Sequence, residues 1–234
     1  MLRSLALIAA LALPGLAAAQ ATAGAPRLGT DYEVITPAQP LFGAPGKIEV
    51  AEVFSYHCIH CADFQPFVDR WKGNLRPDTR LTYVHAAFGG VIDNIARGFY
   101  AAESMGATDR THRAFFNAFH VERKIKTGSI DEVADVYASL GLDRAALLST
   151  MNSFAITSKV NRAKQFAQRT GVSATPTVIV NGKYRVSATA DRGFEGMLQT
   201  IDYLVARERA ANAARPAATP VAKPAAKPVA ASAR

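Results

Sequence analysis

Cysteine is nearly absent from this chain of 234 residues, which contains only Cys58 and Cys61. Exported proteins that depend on disulfides for stability usually carry several cysteines that lie far apart in sequence. A bridge between two cysteines so close together closes a very short loop, so it removes little entropy from the unfolded chain. An inert bridge is therefore the weaker interpretation, and we expect the pair to perform chemistry.

The chain also lacks an apolar run long enough to cross a membrane, because a membrane-spanning helix requires about 20 apolar residues. The longest candidate covers residues 5–13, follows Arg3, ends at Pro14 and precedes three alanines at 17–19. A basic start, a short apolar stretch and small residues are typical of a signal peptide, and a membrane anchor is the weaker alternative. We expect residues 1–19 to be removed and the mature protein to be exported.

Acidic residues are scarce near the C-terminus, where residues 207–234 hold six basic side chains and one acidic. The whole chain has a net charge of +8, but this segment and Arg3 supply most of it. The remaining body is close to neutral, which gives little support to nucleic-acid binding. Residues 210–234 are mostly Ala, Pro, Lys and Arg, a composition that predicts a disordered tail, either solvated or in contact with an anionic surface.

The body between these ends predicts an α/β domain interrupted by helices. Alternation and β-branched residues predict strands at 47–54 and 81–85, and helical spacing from Cys58 to Leu75 predicts a helix between them. A strand, a helix and a strand in this order suggest two parallel strands.

Further helices are expected after the second strand, at 92–105, 109–120, 131–140, 143–154 and 156–170. We expect N-caps at Asp109, Asp131 and Asp143, and helix-ending glycines at 106, 128, 141 and 171. A strand at 176–180, an Asn-Gly hairpin turn at 181–182, a strand at 184–186 and a helix at 194–209 then follow.

The sequence Cys58-Ile59-His60-Cys61 lies where the first predicted strand passes into a helix. Disulfide exchange is performed by a thiolate, and a sulfur in the first helical turn faces unpaired N–H groups and the positive end of the helix dipole. His60 can add positive charge or a hydrogen bond. We therefore expect a lowered pKa for Cys58, a less exposed Cys61, and an oxidising disulfide.

Two metal-based interpretations of the pair are weaker. Zinc would use Cys58 and Cys61 with His57 or His60, but no second C-x-x-C or H-x-x-H pair supplies further ligands. Haem attachment requires a histidine directly after the second cysteine, and position 62 is alanine. We expect no metal, and no cofactor other than the redox-active disulfide.

Glu52 lies six residues before Cys58 and shares a strand face with Ile48, Val50 and Phe54. A carboxyl group on an apolar face should have a raised pKa, and it can move protons to and from the Cys61 sulfur. The alternative is a carboxylate at a strand edge that is open to solvent.

Two prolines mark informative positions. Pro66 falls inside the helix that Cys58 begins and should kink it. Pro176 precedes the third strand, and a cis bond there would present the backbone of Thr175 to a passing peptide.

These motifs resemble the thioredoxin superfamily and, within it, the DsbA-type periplasmic disulfide oxidases. The superfamily features are Glu52, the C-x-x-C pair, Pro66 and Pro176. The more specific features are the E-x-F-S run ahead of C-x-H-C, the Phe-Gly-Gly at 88–90, the Val-Asn-Gly-Lys-Tyr at 180–184, and the helical insertion between Gly90 and Gln168. The resemblance spans residues 31–207.

The resemblance implies a thioredoxin-like fold with an inserted helical domain, placed here at 31–90 and 170–209 with the insertion at 91–169. It implies a periplasmic, monomeric dithiol oxidase that acts on reduced, unfolded exported proteins and is reoxidised by a DsbB-like, quinone-linked membrane oxidase. The expected catalytic residues are Cys58, Cys61, His60 and Glu52, and the expected substrate-binding residues are Thr175, Pro176, Ile59 and His57.

Two departures from the family pattern concern the strength of oxidation. Many relatives have Pro-His between the cysteines, where this chain has Ile59-His60, and many have Val where this chain has Thr175. An exported reductase or isomerase on the same fold is therefore the alternative function, and a non-catalytic peptide-binding module is a third. The remaining histidines are expected to be structural or at the surface, at positions 85, 112 and 120.

Overall fold

The computed structural model describes residues 24–214. The expected signal segment and most of the expected tail lie outside the described residues. The described elements are, in chain order, β1 (Tyr32–Val34), β2 (Ile48–Phe54), α1 (Ile59–Lys72), β3 (Thr79–His85), α2 (Val91–Ser104), α3 (Thr108–His120), α4 (Ile130–Ser139), α5 (Arg144–Met151), α6 (Phe154–Arg169), β4 (Thr177–Val180), β5 (Tyr184–Val186) and α7 (Gly193–Ala213). None of the described helices is long and apolar enough to cross a membrane.

The strands form a five-stranded sheet in the order β1-β5-β4-β2-β3. β2 and β3 are parallel, as the sequence predicted, and the other neighbouring strands are antiparallel. Every residue of β2 is buried, because this strand has a neighbour on each side and packed side chains on each face. Glu52 lies opposite Tyr83 of β3 and Val178 of β4. Cys58 therefore follows the carboxyl end of a fully buried strand.

Two hydrophobic clusters cover the two faces of the sheet. Ile48 and Val50 pack with α1 and α7 in one cluster, and Ala51 and Val53 point the other way into a cluster that contains side chains of the inserted helices. Burying each large apolar side chain contributes about 1.5–3 kcal/mol, so the helices hold the sheet from both sides.

The helical block α2–α6 lies between β3 and β4 in the chain, which confirms an α/β fold with a helical insertion. The proposed domain boundaries, after residues 90 and 169, stay a prediction. The short β1 has no counterpart among the predicted strands; it pairs with β5 and places Tyr32 opposite Val186.

Two of the three expected N-caps are wrong. α3 is capped by Ala107 and α4 by Ser129, so Asp109 and Asp131 lie in the first helical turns. A carboxylate is favourable throughout the first turn, where it meets the positive end of the helix dipole, so its presence does not define the boundary. Asp143 does cap α5, and its Oδ1 accepts the N–H of Ala146 at 2.7 Å.

The expectation for Gly128 is also wrong. The glycines at 106, 141 and 171 follow helices with positive φ, as helix-ending glycines do, but Gly128 precedes α4. The carboxylate of Glu132 accepts the N–H groups of Lys126, Thr127 and Gly128, so this glycine belongs to the loop that leads into α4.

The last helix is longer than expected, because α7 continues to Ala213 rather than ending at Arg209. Residues 210–213 are therefore helical and do not belong to the tail. Their sequence, Ala-Ala-Asn-Ala, has high helix propensity, and the next proline comes only at position 216. The Asn181-Gly182 turn is confirmed, since both residues have positive φ between β4 and β5.

Candidate active site

Cys58 lies at the N-terminus of α1, after a tight turn at the end of β2. It is the N-cap residue of the helix and is half-buried. The turn is closed by the N–H of Cys58, which donates to the carbonyl oxygen of Ser55 at 3.0 Å. The Cys58 sulfur is thereby placed beside the N–H groups of the first helical turn, which have no partner within the helix.

The surroundings of Cys58 lower its pKa from 9.0 to about 5. The main cause is a hydrogen bond with the Cys61 thiol, and the Thr175 side chain and the backbone N–H groups of Cys61 and His60 add to it. Partial burial opposes these groups but is outweighed. In the reduced protein at neutral pH, Cys58 is therefore a thiolate, the form that attacks disulfides and leaves them readily.

Cys61 has the opposite properties, although it lies only one helical turn further along. Its side chain is fully buried. Burial is the main cause that raises its pKa far above the ordinary value, and the hydrogen bond with Cys58 raises it further. Cys61 therefore remains a protonated thiol beside the Cys58 thiolate.

Glu52 is buried in the centre of the sheet, so the alternative of a solvent-exposed edge carboxylate is wrong. Neither carboxyl oxygen has a hydrogen-bond partner among the described residues. The pKa of Glu52 is raised from 4.5 to about 8, mainly by burial and in addition by the negative charges of Asp69 and Cys58. Its charge in turn raises the pKa of Cys61, which places the carboxyl group within electrostatic reach of the buried sulfur.

An open groove of about 420 Å³ lies beside the cysteine pair, lined by residues that include His60, Thr175, Pro176 and Phe194. The Thr175–Pro176 bond, whose isomer the sequence left open, is cis. In the thiol form, Cys58 donates a hydrogen bond to the Thr175 carbonyl oxygen at 3.1 Å. Ile59 is half exposed next to the pair. A peptide lying in the groove can therefore reach the Cys58 sulfur.

The two histidines beside Cys58 are less directly engaged than the sequence suggested. The contribution of His60 to the lowered pKa of Cys58 comes from its backbone N–H rather than from its imidazole. His57 is exposed, and its ring packs edge-on against Phe119 at 5.7 Å.

Sequence reasoning missed the role of Tyr56, the residue two positions before Cys58. Its backbone N–H, hydroxyl and carbonyl groups are each bound by a different histidine, namely His85, His112 and His120. A usable signal was present, because positions 112 and 120 are about two turns apart and so lie on the same side of a helix. The partner could not be read from the sequence.

A readily ionised sulfur beside a protonated one, at the entrance of an open groove, is the arrangement that thiol–disulfide exchange requires. The sheet, the helix that carries both cysteines and the inserted helical block form a thioredoxin-like fold. The fold and the site together define a protein disulfide oxidoreductase.

The chain is similar over most of its length to proteins of known activity. A family model described as a DSBA-like thioredoxin domain matches residues 92–199. The thiol:disulfide interchange protein DsbA of Pseudomonas aeruginosa strain PAO1 is 39% identical over 210 residues, which cover 90% of this chain and 99% of that protein. The protein of the same name from Azotobacter vinelandii is 37% identical over 197 residues, with coverage of 79% and 92%.

Solved structures give the same result. The oxidoreductase DsbA from Xylella fastidiosa superposes with a TM-score of 0.74 at 38% identity, covering 79% of this chain and 98% of that one. P. aeruginosa DsbA superposes with a TM-score of 0.75 at 38% identity, covering 80% and 96%. The chain belongs to the DsbA family of thiol:disulfide interchange proteins, which confirms the resemblance inferred from its motifs.

Proposed function

We propose that this protein is a periplasmic dithiol oxidase that donates the Cys58–Cys61 disulfide to exported proteins during oxidative folding. The observation that carries the proposal is the lowered pKa of Cys58, from 9.0 to about 5. A stable thiolate stabilises the reduced protein relative to the disulfide form, so the disulfide is readily given away.

The reaction begins when a substrate thiolate attacks the Cys58 sulfur of the disulfide. The Cys58–Cys61 bond breaks, a mixed disulfide forms at Cys58, and the electron pair leaves with Cys61. A second thiolate of the substrate then attacks the substrate sulfur of the mixed disulfide, and Cys58 leaves as a thiolate. Two substrate thiols become one disulfide, and the protein disulfide becomes a dithiol. The low pKa of Cys58 favours the second step because a stable thiolate is a good leaving group.

Glu52 supplies a proton for the first step in this proposal. Cys61 leaves as a thiolate in a fully buried position, where its charged form is strongly disfavoured. With a pKa near 8, Glu52 is largely protonated at neutral pH and can neutralise the departing sulfur. The reverse transfer removes the proton when the dithiol is reoxidised.

The substrate binds in the groove beside Cys58 in this proposal. Pro176 and Phe194 provide apolar contacts, and the backbone of Thr175 can pair with an extended peptide. Because the contacts are to the peptide backbone and to an apolar wall, binding is broad rather than sequence-specific. Ile59 and His57 are exposed on either side of Cys58 in the sequence and complete the substrate contacts in this proposal.

Each turnover leaves the protein reduced, so an oxidant must restore the disulfide. The family relationship supports a DsbB-like, quinone-linked oxidase for this role, with the protein acting as a monomer. The alternative, an exported reductase or isomerase on the same fold, would need a pair that prefers to stay oxidised.

The reduction potential of the Cys58–Cys61 pair, measured in glutathione buffers, separates these functions. Trp71 lies on α1 together with both cysteines, so its fluorescence can follow the redox state. We expect a value near −120 mV, as is characteristic of DsbA, whereas a value near −270 mV, as in thioredoxin, would favour the reductase. A variant with both cysteines replaced by serine provides the fluorescence baseline.

A further inference from the structure

Three histidines from two different elements converge on Tyr56. The Nε2 atom of His85, in β3, lies 3.2 Å from the backbone N of Tyr56. The Nδ1 atom of His112, in α3, lies 2.8 Å from the Tyr56 hydroxyl. The Nε2 atom of His120, the last residue of α3, lies 2.8 Å from the Tyr56 carbonyl oxygen. Every polar group of Tyr56 is thus bound by an imidazole.

The other partners of these rings fix the direction of each hydrogen bond. His85 donates from Nδ1 to the Ala86 carbonyl, so its Nε2 accepts the Tyr56 N–H. His112 faces the Gln65 side-chain oxygen with Nε2, so its Nδ1 accepts from the Tyr56 hydroxyl. His120 donates to the Tyr56 carbonyl, which can only accept. The three bonds are therefore mutually compatible with neutral rings.

Tyr56 has no access to water that could replace these bonds. Its side chain is fully buried. The ring packs against Phe115 with centroids 4.3 Å apart and against Phe54 at 5.2 Å. In such an apolar setting a polar group that loses its partner is left unsatisfied, so the orientation of the Tyr56 backbone is tightly held.

The position of Tyr56 links this cluster to the reactive sulfur. Tyr56 and His57 are the two central residues of the turn that Ser55 and Cys58 close through a 3.0 Å hydrogen bond. The turn determines where Cys58 stands relative to the first turn of α1. The backbone N–H groups that help to lower the pKa of Cys58 belong to that helical turn, so their effect depends on its placement.

We infer that His85, His112 and His120 form a clamp on Tyr56 that positions the Cys58 sulfur, and that His120 is a positioning residue for thiol exchange. Through this clamp α3, which belongs to the helical insertion, contributes to the reactivity of a cysteine at the start of another helix. The inference rests on the proposed role of Cys58 as the attacking and leaving sulfur.

The His120→Ala variant tests the clamp, because His120 is only partly buried at a helix end and its loss should leave the protein folded. The ultraviolet absorbance of the thiolate is followed against pH in the reduced protein. We expect a roughly tenfold smaller thiolate fraction near pH 4 than in the wild type. The matching tenfold loss of oxidising power corresponds to a reduction potential lower by about 30 mV.

Two further variants separate positioning from a general loosening of α3. His120→Gln keeps an N–H donor at the corresponding position and should restore the wild-type titration. Asn117→Ala removes a surface hydrogen bond to Glu122 at the same helix end and should leave the titration unchanged. Coincident titrations of His120→Ala and the wild type would overturn the inference, as would equal shifts in His120→Ala and Asn117→Ala. An ordinary thiol pKa in the wild type would instead contradict the proposed function.

Discussion

The two cysteine thiols at either end of the first turn of α1 have pKa values shifted in opposite directions. At the rim, Cys58 is half-buried and surrounded by hydrogen-bond donors, and its pKa falls to about 5. One turn deeper, Cys61 is fully buried beside Glu52, and its pKa rises far above the ordinary value. The difference shows that depth and donor supply, rather than residue type, decide which thiol ionises readily and which keeps its proton.

Removing the rim sulfur should have the largest effect. With Cys58→Ser no attackable sulfur remains at the groove, so we expect complete loss of oxidation of a reduced, unfolded test protein. The assay is recovery of activity by reduced ribonuclease in a redox buffer. Residual oxidation above the buffer rate would show that Cys61 is accessible and that the contrast between rim and interior is wrong.

Removing the buried sulfur should stall the reaction rather than prevent it. In Cys61→Ser the Cys58 thiolate can attack a disulfide of an oxidised substrate and form a mixed disulfide, while the other substrate sulfur leaves as a thiolate, but no Cys61 thiol is present to displace the bound substrate. We expect covalent complexes that survive denaturing, non-reducing electrophoresis and disappear on reduction. A Cys58→Ser/Cys61→Ser double variant is the control and should form none.

The Glu52→Gln variant changes only the buried surroundings of Cys61. A carboxyl group with a folded-state pKa near 8 and an unfolded value near 4.5 holds its proton in the folded protein while the unfolded chain ionises. Its contribution to stability is thus complete below about pH 4.5 and is lost as the pH rises to about 8. We expect Glu52→Gln to gain about 4 kcal/mol relative to the wild type between these pH values.

Urea unfolding of the reduced proteins at both pH values measures this difference. The control is Glu195→Gln, which makes the same substitution at an exposed position and should show no pH-dependent gain. A stability difference for Glu52→Gln that is the same at both pH values would mean that Glu52 ionises normally in the folded protein.

The smallest effect is expected from His60→Ala, which changes only the rim. The variant keeps the backbone N–H that helps to lower the pKa of Cys58 and removes only the imidazole. We expect a small upward shift of the Cys58 pKa, within about a threefold change in thiolate fraction. The same ultraviolet titration measures it. A shift larger than that of His120→Ala would give the imidazole the main electrostatic role.

The elements that could be predicted from the sequence are those whose signals are local. The strand that leads into Cys58, the Asn181-Gly182 hairpin and the Asp143 cap each depend on residues within a few positions of one another. The misplaced caps of α3 and α4 show the limit of this approach, because a first-turn acid and a capping acid leave the same pattern in the sequence.

The parts of the site that depend on distant residues could not be found this way. Glu52 was identified because strand alternation places it on an apolar face. Tyr56 was not, since its partners lie 29, 56 and 64 positions further along the chain. Each of the three histidines looks like an ordinary core or surface residue in its own element, and only the packing of α3 against the end of β2 brings them together.

The contact between Cys58 and Thr175, described above for the groove, has a consequence for the order of events during synthesis. The two residues are 117 positions apart, so the ribosome completes the cysteine pair long before the loop that faces it. An isolated helix as short as α1 is marginally stable in water. Until the last strands are made, Cys58 lacks the contact with Thr175, a residue that helps to lower its pKa. The sulfur therefore reaches its full thiolate character only when the chain between these two positions has folded.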